Sequence, residues 1–289
     1  MHYEGMIYRP PSEAYSLILQ VTVGCAHNQC TFCSMYKDKQ FHLKSLQDIE
    51  ADLQEAQRFY GSRVERIFLA DGDALVLSTE KLTEILTLCR SYFPSATRIS
   101  SYGRAGDILR KTPEELTALR RLGLGMVYLG AESGSEMVLK QVHKNVTPQE
   151  LIQAAGRLRQ TRIASSVTLI SGLGGQALLK EHALASAALI SAMKPDYLGF
   201  LTLMLEPGAL MRDDVRCGRM KLLTPEQVID EMELFLGHVD SEGTVFRSNH
   251  ASNYVSLRGT LNRDIPDMLE QLQRVRESSG FRAEKMRRL

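Results

Sequence analysis

Three of the five cysteines in this 289-residue chain, Cys25, Cys30 and Cys33, lie within nine residues, in the run Gly24-Cys25-Ala26-His27-Asn28-Gln29-Cys30-Thr31-Phe32-Cys33. A structural zinc ion normally takes four protein ligands, commonly as two separated pairs, and here there is one trio and no second pair. A [4Fe–4S] cluster held by three thiolates leaves one iron without a protein ligand, open to a small chelating molecule. Two other readings stay open on the residues alone: three buried apolar cysteines, or a zinc site completed by His27 or a distant histidine. Cys89 falls in a helical pattern with Leu82, Ile85 and Leu86 and reads as core, while Cys217 stands alone in a basic loop. These two scattered thiols cannot by themselves hold a second four-ligand cluster.

The elements that must position the trio follow from an alternation of short β-rich runs with longer amphipathic stretches, the rhythm of parallel strands joined by crossover helices. Six such units are expected, with strands at 16–23, 66–70, 97–101, 126–130, 163–170 and 197–204. The first is followed by the cysteine loop and a helix over about 45–60. Ser78 and Thr112-Pro113-Glu114-Glu115 mark helix starts by their cap residues, a first-turn proline and early carboxylates. After the sixth unit come a helix over 224–237 with a Thr-Pro-Glu start, a strand at 244–247 and a last helix over 265–278.

In parallel α/β architectures ligands collect at the C-terminal ends of the strands, so the residues just beyond each strand carry the chemistry. Asp71-Gly72-Asp73 follows the second strand. There Gly72 permits close backbone approach and Asp73 can accept from an ammonium group, though an Asp-Gly pair also serves a plain chain reversal. Arg104 follows the third strand and can clamp a carboxylate or pair with Asp107. Glu132-Ser133-Gly134-Ser135 ends the fourth strand and, as a bare pattern, caps a helix. Ile170-Ser171-Gly172-Leu173-Gly174-Gly175 ends the fifth. It admits a flat ring or a phosphate, but no lysine follows to make a phosphate loop. The segment Arg247–Tyr254 is dense in hydrogen-bonding side chains. Asn249, His250 and Asn253 are its candidate catalytic residues, with His250 a possible acid, base or ligand if the segment folds over the strand ends.

The C-x4-C-x2-C spacing, with an aromatic residue just before the last cysteine, resembles the cluster loop of the radical S-adenosylmethionine (radical SAM) superfamily, whose usual C-x3-C-x2-C is one residue shorter. Tyr128–Ser135, continuing to Leu139 and Lys144, resembles the Gly-x-Glu-Ser-Gly-Ser segment of the subgroup with Elp3, MiaB and NifB-like cores, and the likeness spans roughly residues 16–205. The resemblance implies an α/β fold, a partial (β/α)6 TIM-like barrel over 12–237 with a short C-terminal extension over 238–289 packing on it. It implies that Cys25, Cys30 and Cys33 bind three irons of a [4Fe–4S] cluster and that S-adenosylmethionine chelates the fourth. Phe32 then shields the cluster, Gly72 and Asp73 receive the methionine amino group, and Arg104 meets its carboxylate. Glu132 and Ser133 hold the ribose, while Ile170 and Gly172 pack the adenine. The implied activity is reductive cleavage of S-adenosylmethionine and hydrogen abstraction from an unidentified substrate, fed by an electron donor such as flavodoxin or ferredoxin. The competing class is an iron–sulfur or zinc protein that binds metal or senses redox state without that cleavage. A third reading is a cluster-free barrel enzyme.

Bulk properties narrow the rest. With 44% hydrophobic and 24% charged residues the chain can bury a substantial core, and its net charge of +1 gives no clear signature for nucleic acid or acidic lipid. No apolar run is long enough to cross a bilayer, the N-terminus lacks a signal-peptide pattern, and a thiolate trio fits a reducing compartment. A cytoplasmic, membrane-free protein is expected. The basic stretch Arg282, Lys285, Arg287, Arg288 reads as a solvated tail.

Overall fold

The computed structural model describes residues 1–287. The stretch 16–23, expected as one strand, forms two: β1 (Leu17–Gln20) and β2 (Thr22–Val23). At the break, fully buried Val21 donates to Ala70 O and accepts from Lys44 N, and β2 leaves to pair antiparallel with β3 (His42–Leu43). The chain thus departs from the main sheet just before the first cysteine.

The helix starts expected from cap residues are formed. In α1 (Leu46–Tyr60) Ser45 accepts from Asp48 N, and Ile49, Leu53 and Ala56 are buried. β4 (Arg66–Ala70) leads to α2 (Thr79–Tyr92), capped by Ser78, where Cys89 is buried beside Leu82, Ile85 and Leu86. β5 (Arg98–Tyr102) is followed by α3 (Ala105–Leu109) and α4 (Pro113–Arg121), the latter opened by a reciprocal Thr112–Glu115 capping box. β6 (Leu124–Glu132) runs longer than the expected 126–130. Then come α5 (Glu136–Gln141), α6 (Pro148–Gln160), β7 (Ala164–Ser171), α7 (Leu179–Met193) and β8 (Tyr197–Thr202). A helix not expected from sequence, α8 (Met211–Arg216), precedes α9 (Pro225–His238), which has a Thr224–Gln227 capping box. β9 (Val245–Arg247), β10 (Arg258–Thr260) and α10 (Ile265–Ser278) complete the chain.

The fold is mixed α/β, with an eight-stranded, mostly parallel sheet and the separate β2–β3 ladder. The chain divides into two compact units, one of residues 1–28, 35–129 and 156–165, the other of 29–34, 130–155 and 166 onward. In the first, β1, β4, β5 and β6 are parallel in that order, with Leu17 opposite Ile67, Arg66 opposite Arg98 and Ser101 opposite Val127. Phe68, Tyr102 and Tyr128 meet edge to face at centroid distances of 5.0, 5.9 and 6.0 Å, a geometry the ring quadrupoles favour. Glu13, fully buried, accepts from the Tyr128 hydroxyl at 2.5 Å and Arg98 at 2.8 Å through Oε1 and from Ser16 Oγ through Oε2, so both oxygens have a donor.

In the second unit β7, β8 and β9 are parallel and β10 closes antiparallel on β9. Phe200 packs on Phe235 of α9 and Phe246 of β9. The basic stretch expected to be a solvated tail is instead a strap. Arg282 donates to the carbonyls of His250, Ala251 and Asn253 at 2.9–3.0 Å. Arg287 lies over the Tyr254 ring at 4.0 Å and donates to Ser252 O and Leu203 O. A loop without a ladder partner leaves carbonyls to be satisfied, and a guanidinium offers five donors to do it. Arg288 lies outside the described residues.

Glu231 of α9 ties this unit together. Fully buried, it accepts from Ser171 Oγ at 2.5 Å and Gly172 N at 2.8 Å through one oxygen, while the other meets His182 Nδ1 at 2.9 Å. Removing one partner of such a knot strands the rest. Glu231→Ala is expected to cost about 3 kcal/mol in urea unfolding, and Glu231→Gln, which keeps an acceptor, distinctly less.

Candidate functional site

In the first unit the exit of the chain toward Cys25 is fastened to the end of β4. Gly24 donates to Asp71 Oδ2 at 3.1 Å, and Gly72 N donates back to Gly24 O at 3.1 Å. Asp71 is fully buried and pairs with Lys39 Nζ at 2.7 Å, with Gln20 Nε2 at 3.4 Å. Tyr36 packs beside it, and burial, then the Asp71 charge, push its phenol well above the usual tyrosine range. Gly72 has no room for a side chain, because a Cβ there would stand 2.7 Å from the Tyr36 ring and 3.0 Å from Cys25 Cβ.

One residue further on, Asp73 is fully buried and neither of its carboxyl oxygens has a hydrogen-bond partner among the described residues. Burial pushes its pKa up to about 6, against the opposing charges of Arg104 and Arg110, the Arg104 backbone N–H and the charge of Lys111. Lys111 is not available to neutralise it, since its ammonium donates to Leu75 O and Leu77 O at 2.8 Å each. Arg104 is half-buried at the N-cap of α3, and Asp107 takes Arg110 as its ion-pair partner.

In the second unit Cys30 and Cys33 are half-buried on a turn whose Thr31 donates to Val142 O at 3.0 Å and accepts from Met211 N at 2.9 Å. Phe32 and Ile170 pack against one apolar cluster of Val138, Val142, Leu173, Leu203 and Met211. Glu132, at φ +66°, pairs with Lys144 at 2.8 Å, and a Cβ at Gly130 would fall 2.1 Å from the Glu132 carboxylate, so a side chain there would displace it. Ser133 accepts from Ser135 N, and Ser135 caps α5, so the helix-capping reading of that segment holds as well. Gly172, at φ +80°, is held through its N–H by Glu231.

The polar segment after the strands is only partly available for chemistry. Asn249 is exposed. His250 is half-buried, and its Nδ1 accepts from Ser252 N at 3.1 Å, which places the neutral ring's proton on Nε2. Burial, then Arg282, lower its pKa below the usual histidine value. Asn253, a candidate catalytic residue from sequence, has every side-chain atom committed. Its oxygen accepts from Thr202 Oγ1 at 2.9 Å, and its nitrogen donates to Phe200 O and Ser248 O. It is a latch holding the segment to β8, buried and with both amide protons committed.

All five cysteines are thiols. Three partly exposed thiols on one loop are a soft donor set suited to iron–sulfur ligation. Among the described residues no three His, Cys, Asp or Glu side chains are arranged to hold a metal ion, so donor chemistry and spacing carry this fit rather than a preformed coordination geometry.

A parallel α/β fold with a thiol loop directly after its first strand defines the partial (β/α)-barrel class of iron–sulfur proteins. The profile of the Radical SAM superfamily matches residues 19–183, and the chain belongs to that superfamily. Its members use a [4Fe–4S] cluster and S-adenosylmethionine. Heme chaperone HemW of Escherichia coli is 26% identical over 218 residues, 71% of this chain and 54% of that protein. Among solved structures, coproporphyrinogen III oxidase (HemN) of Escherichia coli has a TM-score of 0.58 at 19% identity, covering 77% of this chain and 51% of that one. Methylornithine synthase (PylB) has a TM-score of 0.53 at 14% identity, covering 90% and 81%. Elp3 of Methanocaldococcus infernus has a TM-score of 0.54 at 14% identity, covering 93% and 64%. The chain spans about half the length of HemW and HemN. No helix among the described residues is long and apolar enough to cross a membrane.

Sequence reasoning missed Lys39, Tyr36, Glu231 and His182, because nothing in their neighbours marks a partner dozens of residues away. Two outcomes follow from the first-unit geometry. Gly72→Ala is expected to lower iron retained after anaerobic reconstitution by roughly twofold or more, because the packed Tyr36 ring and Cys25 must give way. Gly106→Ala, which meets open space, leaves iron content unchanged. For Asp73 the folded chain holds its proton more tightly than the unfolded one between the ordinary value of 3.8 and about 6. The stability this confers is full below that window and lost as pH rises through 6. Asp73→Asn should therefore stabilise the chain by about 1–3 kcal/mol at pH 8, with the gain gone by about pH 4, as read by urea unfolding at both pH values.

Proposed function

We propose that this chain is a radical SAM enzyme acting on a substrate still to be identified. Cys25, Cys30 and Cys33 would hold three irons of a [4Fe–4S] cluster. A cluster held there would supply the electron for reductive cleavage of S-adenosylmethionine and so the means of hydrogen abstraction from substrate.

The observation that carries the reading is Asp73: a fully buried carboxyl group with no well-formed hydrogen bond to either oxygen, one residue beyond the glycine whose missing side chain leaves room for Cys25. A buried carboxylate without donors is costly, and a ligand ammonium delivered beside a thiolate ligand would satisfy it. Arg104, whose charge already acts on Asp73, would meet the ligand's carboxylate, and Gly72 would let the ligand approach the backbone. Ile170 and Phe32, on one apolar cluster, would provide a surface for the adenine, with Gly172 at the turn. Glu132, fixed by Lys144, and Ser133 would serve the ribose. Asn249 and His250 remain the candidates for orienting substrate, and Asn253 acts by holding their segment. The thiols favour a reducing compartment, the cytoplasm, and the electron would come from a carrier such as flavodoxin or ferredoxin.

Anaerobically reconstituted protein is expected to bind about four irons and to show a broad absorption that dithionite bleaches, lost in Cys25→Ser, Cys30→Ser or Cys33→Ser and kept in Cys89→Ser and Cys217→Ser. Reduced protein should convert S-adenosylmethionine to 5′-deoxyadenosine and methionine. Asp73→Ala should weaken its binding about tenfold or more while leaving iron in place. A cluster that assembles normally and never cleaves S-adenosylmethionine would make this a redox-sensing iron–sulfur protein instead.

A further inference from the structure

The turn carrying Cys30 and Cys33 is backed by α8. Thr31 O accepts from Met211 N, the first residue of that helix, and Phe32 packs in the cluster that contains Met211 and Met220. The rest of the segment turns charge outward. Between Arg212 and Lys221 there are four basic and two acidic residues, in a chain whose net charge is only +1. Arg216 and Arg219 keep 82% and 67% of their side chains in solvent, and Arg212 and Lys221 are exposed as well. The ion pairs Arg216–Asp213 and Arg219–Asp214 are solvent-screened and leave the patch positive, and no acidic partner of Arg212 or Lys221 occurs among the described residues. Leu210 and Leu222, 58% and 40% exposed, flank the cationic stretch.

We propose that this surface, Arg212 to Lys221 with its two flanking leucines, is the docking site for the acidic carrier protein that delivers electrons to the cluster. The inference rests on the cluster assignment proposed above. Members of the superfamily need an electron donor, and electrons must reach iron held in part by Cys30 and Cys33, on the turn that α8 backs. Redox carriers bind through small, charged, rapidly exchanging patches, in which opposite charge raises the encounter rate more than it tightens the complex. In the step itself one electron leaves the reduced carrier and enters the oxidised cluster, and no bond is made or broken. Phosphates of a nucleic acid would be drawn by the same charge, and the experiment separates the two.

The test uses the triple variant Arg212→Glu/Arg216→Glu/Arg219→Glu of the reconstituted protein, with reduced flavodoxin as the probe and stopped-flow bleaching of the cluster as the signal. At low salt the bleaching rate is expected to fall about tenfold or more, and the difference to shrink as salt approaches about 0.5 M. Reduction by dithionite, and cleavage of S-adenosylmethionine driven by it, should be unchanged. A charge-matched control, Lys180→Glu/Arg258→Glu/Arg274→Glu, should change the flavodoxin rate by less than about twofold. An unchanged flavodoxin rate in the triple variant, an equal loss in the control, or an equal loss with dithionite overturns the proposal. Calorimetric titration with oxidised flavodoxin needs no turnover, so it reports docking even if cleavage never occurs. Salt-sensitive binding lost in the triple variant supports the assignment, whereas retained flavodoxin binding with lost binding of single-stranded RNA reassigns the surface to nucleic acid.

Discussion

A lysine ammonium and an aspartate carboxylate, 2.7 Å apart and almost wholly shut off from water, set the start of the cysteine loop. Lys39 and Asp71 are far apart in sequence, and neither charge tolerates burial without the other. Their pairing fixes Asp71 Oδ2 where Gly24 N can reach it, and the return bond from Gly72 N to Gly24 O closes a two-bond link between the residues that follow β2 and β4. Cys25 is the next residue. Its location therefore depends less on its own packing than on an electrostatic contact one layer below.

Three of the buried carboxyl groups beside strand ends are treated in different ways. Asp71 is paired with a cation through one oxygen, its other oxygen being buried without a bonded partner, and Glu231 is saturated by a hydroxyl, a backbone amide and an imidazole. Asp73 has no well-formed hydrogen bond to either oxygen among the described residues, with only the Arg104 backbone N–H directed at it. The first two are explained by the fold they stabilise. The third is a local cost with no structural return, and such a cost at a strand terminus is what a binding site looks like before its ligand is considered.

Much of this was readable in the residues. Ser45, Ser78, Thr112 and Thr224 cap the helices their sequences announced, because a cap is a local interaction of a side chain with an amide three residues on. The break at Val21 was not readable, since no glycine or proline interrupts the strand-forming run through it, and only the pairing with Ala70 and Lys44 divides it. Asn253 looked like chemistry because polar residues crowd around it, yet the same polarity serves to bind a loop to β8. The basic C-terminal stretch failed as a tail for the opposite reason: composition records that Arg282 and Arg287 are charged and says nothing of the carbonyls waiting for them.

Those two arginines grip main-chain oxygens. Arg282 holds the carbonyls of His250, Ala251 and Asn253, and Arg287 those of Ser252 and Leu203. Every residue type carries the same carbonyl, so the path of the loop is fixed independently of most of the side chains it displays. Replacements at exposed Asn249 or Ala251 would alter what the loop presents while leaving its course intact. A clamp of this kind uncouples the course of the loop from the side chains it displays, so the chemistry of that surface can change without rebuilding the scaffold beneath.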